Sequence, residues 1–191
     1  MTKSARKIIL AITGASGSIY ALRLLEKIMA VESPPDEIAV ILSDTAKEIW
    51  QYEIGMKPAF NIPAKEYENS SFQAPFASGS ALYDTMIICP ASMGTIGRIA
   101  NGTSDNLIIR SADVILKERR KLILVPREAP YNLIHIRNME TLAMAGAIIF
   151  PASPSFYSKP QSIDDLIDNV VSRIIKLAEF DVPGFTWMGN D

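Results

Sequence analysis

The stretch "LILVPREAP", residues 122–130, places adjacent opposite charges at the end of an apolar run. Arg127 is a permanent cation and Glu128 a titratable carboxyl. At the rim of a ligand crevice the two would serve an anion and a proton transfer together. In open solvent the same pair would be a turn contact worth about 0–1 kcal/mol. A second chemistry lies in "TGASGS", residues 13–18. Gly14 and Gly17 permit a tight turn in which backbone N–H groups and the Ser16 hydroxyl can face an anion at a helix start. The pattern is neither G-x-G-x-x-G nor G-x-x-x-x-G-K-[ST], so it specifies neither a dinucleotide nor ATP. Serines and a threonine around a short turn better suit a single phosphate, such as that of a mononucleotide. A glycine turn without any ligand is the plainer alternative.

"CPASMGT", residues 89–95, repeats the theme, with Ser92, Gly94 and Thr95 as small donors after a proline, Pro90, expected to stop the strand. Two such turns argue for a phosphorylated ligand better than one. Ser43 and Asp44 close another apolar run. Asp44 could accept from a ribose 2′-OH but fits better as the N-cap of the following helix, and Ser43 is small enough to let a ligand approach. "FPASPSFYSKP", residues 150–160, is a rigid loop with three prolines in which Tyr157 suits packing more readily than chemistry. "NLIIRSADVILKERRK", residues 106–121, puts Arg110 and Lys117 seven apart on one helix face. Its Arg119 and Arg120 read as solvated cations at a helix C-terminus. Arg173 borders the apolar stripe of the last helix, where it could snorkel.

These groups need a frame. Five short apolar runs read as strands: residues 8–12, 38–42, 86–89, 122–125 and 147–150. None alternates apolar with polar, the pattern of strands covered on both faces. Helical patterns lie between them. The last carries Ile163, Leu166, Ile167, Val170, Val171, Ile174 and Ile175 on one face, behind a capping-box-like Ser162 and Asp165. A helix over about 131–145 is expected to end at Gly146 in a left-handed cap. Alternation of strands and helices implies one mainly parallel sheet in a doubly wound α/β fold, as a single domain over 1–191. Residues 56–84 resist the pattern, and a loop of that length is usually functional or a subunit contact. In such sheets ligands bind beyond the carboxyl ends of the strands, where the charged and glycine-rich tips lie.

The bulk numbers remove other classes. The 191 residues carry a net charge of −2, which offers no global field for nucleic acid or anionic membrane. Stacking aromatics beside basic patches are lacking. No stretch reaches the ~18 apolar residues of a membrane span, and the apolar run at 8–12 is too short for a signal-peptide core. Cys89 is alone, which precludes an intrachain disulfide and suits a reducing, cytoplasmic location. His135 is the only histidine, nothing has metal-ligand spacing, and no G-x-S-x-G elbow is present.

Read together, residues 12–28, 77–139 and 146–174 resemble the UbiX-type flavin prenyltransferases in an ordered set of motifs covering nearly the whole chain. The resemblance implies a Rossmann- or flavodoxin-like fold. It also implies transfer of a dimethylallyl group from dimethylallyl monophosphate to N5 and C6 of reduced FMN without a metal. The product, prenylated FMN, would serve a partner UbiD-type decarboxylase in ubiquinone synthesis or aromatic-acid breakdown, and the enzyme would be a homo-oligomer, a dodecamer. Carried across, Gly14, Ala15, Ser16, Ser43, Ser92, Met93, Gly94, Thr95 and Arg127 would hold FMN. Ser78, Arg110, Lys117, Tyr157 and Arg173 would hold the prenyl phosphate. Glu128 would be the acid/base group and Glu53 a second catalytic carboxylate, with Lys117 and Tyr157 assisting. Ala91 stands where cysteine is common, Ser111 where alanine is usual, and Phe72 and Phe76 are unusual and bear on the prenyl pocket. Two alternatives share the phosphate turns. An FMN-dependent decarboxylase of a cysteine-derived substrate would need a catalytic histidine and a Pro-x-Met-Asn motif. A non-catalytic FMN carrier would have no use for Lys117, Glu128, Tyr157 and Arg173. Trp187, in the tail, would be exposed unless a neighbouring subunit covered it.

Overall fold

Continuous apolar runs become strands here because helices cover both sheet faces. The computed structural model describes residues 6–58, 60 and 63–182. These form β1 (Lys7–Ile12), α1 (Ser18–Met29), β2 (Glu37–Leu42), α2 (Asp44–Ile54), β3 (Ala64–Glu68), β4 (Thr85–Ala91), α3 (Met93–Ala100), α4 (Leu107–Lys117), β5 (Lys121–Pro126), α5 (Leu133–Met144), β6 (Ile148–Ile149) and α6 (Ile163–Leu177). All the pairings are parallel, in the order β3-β2-β1-β4-β5-β6. Chain direction across the sheet therefore reverses between β1 and β4, the switch point of a doubly wound fold.

Two apolar layers result. Ile8, Leu10 and Ile12 point toward α1, α2 and α6, where Leu24, Trp50, Val171 and Ile174 are buried. Ile9 and Ala11 point the other way, toward Ile96, Ile108, Ile115 and Leu142 of α3, α4 and α5. Every inner strand thus buries successive residues on opposite sides, which removes any polar alternation.

Four sequence expectations change. The segment 56–84 contains the edge strand β3, whose Lys65, Glu66 and Glu68 are exposed. Charges on an edge disguise a strand while blocking further pairing. The run at 147–150 narrows to the two paired residues of β6. Pro90 does not stop β4. The register shifts between Ile88 and Ala91, and Ala91 pairs again with Pro126. Phe76 is no pocket wall: it is 2% exposed and packs edge-on against Tyr67 and Tyr83. Ser162 and Asp165 do form a full capping box, and Gly146 takes the left-handed conformation (φ 99°). Buried Ser111 is satisfied by donating to the Leu107 carbonyl. Trp187 lies outside the described residues.

Candidate active site

At the switch point the tips of β1 and β4 are tied by Thr13. Its hydroxyl donates to the Pro90 carbonyl at 2.8 Å and accepts from the Ser92 amide at 2.8 Å. Both glycines of the first tip are required there. Gly17 sits at φ 115°, and a Cβ on Gly14 would stand 2.8 Å from Thr45 Cγ2. Ser92 caps α3 by accepting the Thr95 amide, and its hydroxyl also bonds that of Thr95 at 3.0 Å. At the second tip the cap is Ser43, whose hydroxyl accepts the Ala46 amide at 3.1 Å; Asp44 is the first helical residue instead. Serine wins because its hydroxyl is one bond from the turn, while Asp44 already carries helical geometry and favours the helix dipole.

Glu53, in the last turn of α2, reaches across to the first tip. Its carboxylate accepts the Gly17 amide at 3.0 Å and the Ser18 amide at 2.8 Å. Burial pushes its pKa up, and hydrogen bonds from the Ser16 hydroxyl and those two amides outweigh this and hold it below the ordinary value. The start of α1 therefore has its own anion. From the tip of β5 Arg127 donates its Nε to the Ser16 carbonyl at 3.1 Å, and Glu128 accepts the Ala129 amide at 3.0 Å. Gly14, Ser16, Glu53, Ser92, Arg127 and Glu128 thus border one open cleft of about 360 Å³. Ile49 supplies an apolar side, and Tyr52, 91% exposed, stands at the rim. That volume falls in the range of small-molecule sites. An apolar side, small donors and one cation at two helix starts are what a flat ring bearing one phosphate requires. The cleft fits FMN.

The remaining site residues lie elsewhere on the chain. Ser78 bonds Ser80, and the adjoining Gly79 packs directly against Lys117 and Glu118 at the end of α4. Lys117 precedes β5 and Arg127 follows it. The two lie at opposite ends of a six-residue strand, roughly 20 Å apart at 3.3 Å per residue. Arg110, on α4, bonds the Ala77 carbonyl and Asp113. Arg173 is exposed on α6, in the layer on the other face of the sheet, and Tyr157 is exposed in the loop after β6. One chain brings together Gly14–Ser16, Ser92, Arg127, Glu128 and Glu53, but not Ser78, Arg110 and Lys117 with Tyr157 or Arg173. Sequence reasoning passed over Ile49 and Tyr52 and counted Thr13 only among the groups suited to a phosphate, whereas Thr13 ties two strand tips together. It also left Arg120 in solvent, whereas Arg120 bonds three backbone carbonyls. His135 completes a capping box with Asn132 at the start of α5.

Known proteins match this arrangement. The Flavoprotein family model matches residues 1–175. Flavin prenyltransferase UbiX of Methanocaldococcus jannaschii is 46% identical over 177 residues, covering 92% of this chain and 94% of that protein. Flavin prenyltransferase LpdB of Lactiplantibacillus plantarum is 44% identical over 172 residues, covering 89% and 91%. A crystal structure of AnUbiX in complex with FMN and dimethylallyl pyrophosphate superposes with a TM-score of 0.88 at 39% identity, covering 95% of this chain and 98% of that one. A dodecameric FMN-dependent UbiX-like decarboxylase from Escherichia coli O157:H7 gives 0.86 at 34%, covering 95% and 100%. The FMN-dependent cysteine decarboxylase TvaF, at 16% identity and 0.61, shares the fold alone.

Proposed function

Because the chain belongs to the Flavoprotein family and, within it, to the UbiX-type flavin prenyltransferases, we propose that it joins a dimethylallyl group from dimethylallyl monophosphate to N5 and C6 of reduced FMN. One observation carries the reading: Arg127, Glu128 and Glu53 face a single open cleft at the switch point of the sheet. When bound there, reduced FMN supplies the electron-rich ring that takes the prenyl group. Ser92, Thr95 and Ser43, at the starts of α3 and α2, hold its phosphate. The start of α1 is less suited to that task, because Glu53 already accepts its amides. Gly14 and Ala15 let the ring approach the backbone closely. Glu128 holds the proton leaving N5 and returns one to the phosphate oxygen as the allylic C–O bond breaks, a role that needs a carboxyl at hydrogen-bond reach of both. Arg127 offsets the charge developing on that oxygen. Glu53 stays ionised and, through Ser16, fixes the turn beneath the ring.

Ser78, Arg110 and Lys117 complete the phosphate site from a second copy, meeting Tyr157, Arg173 and Glu128 at a subunit interface. Leu133, Ile134 and Ile136 on α5, with Phe156 and Ile163, are all at least half exposed. So much apolar surface favours a homo-oligomer, and the dodecamer is the assembly of a 34% identical neighbour. The product would pass to a UbiD-type decarboxylase in the cytoplasm. No helix among the described residues is long and apolar enough to cross a membrane. Against a cysteine decarboxylase stand the low identity of those neighbours and the prenyl donor bound by the AnUbiX structure.

The test is anaerobic incubation with reduced FMN and dimethylallyl monophosphate, followed by the mass of the extracted flavin, with the pyrophosphate donor in parallel. A gain of one five-carbon unit is expected. Unmodified FMN with every donor overturns the reading and leaves a flavin carrier.

A further inference from the structure

Arg120 is one of five charged residues in "KERRK" and joins none of the ion pairs among the described residues. Its guanidinium turns onto the segment between the short helical turn at Pro75–Ala77 and β4. Nη2 donates to the Gly79 carbonyl at 2.7 Å, and Nη1 to the carbonyls of Ala81 at 2.7 Å and Tyr83 at 3.3 Å. A planar fork can serve three carbonyls whose spacing is set; a single ammonium cannot. The segment's far end is anchored by the Tyr83 hydroxyl on Glu37 and the Asp84 amide on the Lys7 carbonyl. Among the described residues, 78–81 have of their own only the amides of Ser78 and Ala81 on the carbonyls of Pro75 and Ser78 and the Ser78–Ser80 hydroxyl pair.

The same segment dictates where Lys117 goes. The nearest groups to Gly79 outside the segment are the carboxylate of Glu118 and the ammonium of Lys117. Glu118 in turn accepts from Lys117, which holds its carboxyl below the ordinary value. Both are the ends of part-exposed side chains that rest on this backbone without being locked to it, whereas Ser78, bonded to Ser80, moves with the segment itself. We infer that Arg120 is a positioning residue for the prenyl donor: it sets residues 78–81, which carry Ser78 and support the Lys117–Glu118 pair, and so aims both at the donor phosphate. This rests on the reading of Ser78 and Lys117 as phosphate ligands. Arg120 itself touches neither donor nor flavin.

The experiment measures prenylation kinetics with dimethylallyl monophosphate for the wild type, Arg120→Met, Arg120→Lys, Gly79→Ala and Lys117→Ala, with the Kd for FMN and the oligomeric state of each. Arg120→Met is expected to raise KM for the donor about tenfold or more while kcat stays within about twofold and the FMN Kd is unchanged, since misplacement by an ångström costs up to ~100-fold. Arg120→Lys should fall between Met and the wild type. Gly79→Ala keeps the carbonyls that Arg120 holds and meets only side-chain ends that can swing aside, so its KM should rise less than that of Arg120→Met. Arg120→Lys keeps the charge and tests the inference even where Arg120→Met does not fold. A donor KM unchanged in Arg120→Lys, or in folded Arg120→Met, while Lys117→Ala raises it, overturns the positioning role alone. An FMN Kd that rises in step with the donor KM does the same, because that is general damage. A wild type that prenylates no flavin, or a Lys117→Ala variant with unchanged KM, overturns the underlying reading along with it.

Discussion

The two ends of β5 handle charge in opposite ways. At its amino end Lys117 is paired with Glu118, Arg110 with Asp113, Lys121 with Glu179, and Arg120 is spent on carbonyls. At its carboxyl end Arg127 and Glu128 are exposed at the mouth of a cleft, each with one backbone contact and no partner charge among the described ion pairs. A group already matched to a neighbour costs little to keep, and a group aimed at a cleft awaits something from outside. The carboxyl end gathers its charged groups at one cleft within a chain. The amino end, under the proposed function, presents Ser78 and Lys117 to a second copy.

The largest way to break this contrast is Glu128→Gln. It removes the proposed acid/base group but keeps shape and local hydrogen bonding, so kcat should fall about 100-fold or more while FMN still binds. Extracted-flavin mass and FMN fluorescence titration check the two halves. An FMN affinity that collapses with the rate would mean Glu128 holds the flavin rather than the proton.

Next in size comes a mixing experiment. Lys117→Ala and Glu128→Gln each inactivate one end of β5. If two copies build each site, mixed oligomers formed by dissociation and reassembly contain intact pairings at roughly a quarter of sites by random association. Recovery of activity on mixing two poor variants is the expected result. Persistent inactivity in verified mixed oligomers would put both ends in one site of one chain, against the roughly 20 Å of strand between them.

The same contrast explains what was legible. β1, β2 and β5 announce themselves because burial on both faces selects unbroken apolar runs, and a parallel sheet then fixes which end carries the ligand. Ser16, Ser92, Arg127 and Glu128 were readable from position alone for that reason. Glu53 came only from resemblance to the prenyltransferases, as its partner Gly17 lies 36 residues away; Lys117 stood out by sharing a helix face with Arg110, and only the resemblance made it a phosphate ligand. Arg120 was misjudged for a related cause: its three acceptors are 37 to 41 residues distant, and a local charge run looks solvated when its long-range acceptors are unknown. β3 was lost because its exposed Lys65, Glu66 and Glu68 carry the protection of an edge rather than the signature of a core.

Gly14→Ala sharpens the account of the carboxyl end. The added methyl meets Thr45 Cγ2 at 2.8 Å, so either the first tip or the start of α2 must move. A cost of about 1–3 kcal/mol follows from forcing a group into filled space. Thermal unfolding reads the loss, and the double variant Gly14→Ala with Thr45→Ser should recover part of it by removing the offending Cγ2. Failure to recover would assign the loss to Thr45 Cβ, which stands 2.9 Å from the added methyl and remains in serine.

Glu53→Gln is the mildest change and the most informative about the start of α1. The native carboxyl titrates below its ordinary value of 4.5, against the upward push of burial, because the Ser16 hydroxyl and the Ser18 and Gly17 amides favour its charge. A depressed carboxyl stabilises the fold above the unfolded-state pKa and loses that contribution as pH falls through the native one. An anion at a helix N-terminus contributes about 1 kcal/mol, reduced by salt since Glu53 is exposed. Glu53→Gln should therefore be less stable than the wild type at pH 7, and the two should converge as pH drops from about 4.5 downward. Denaturant midpoints across that window measure it. A gap that persists at low pH would mean that shape, not charge, holds Gly17 and Ser18, and that the start of α1 lacks a resident anion. The flavin phosphate would then have a third helix start open to it, beside those of Ser43 and Ser92, and its assignment to α2 and α3 would lose its reason.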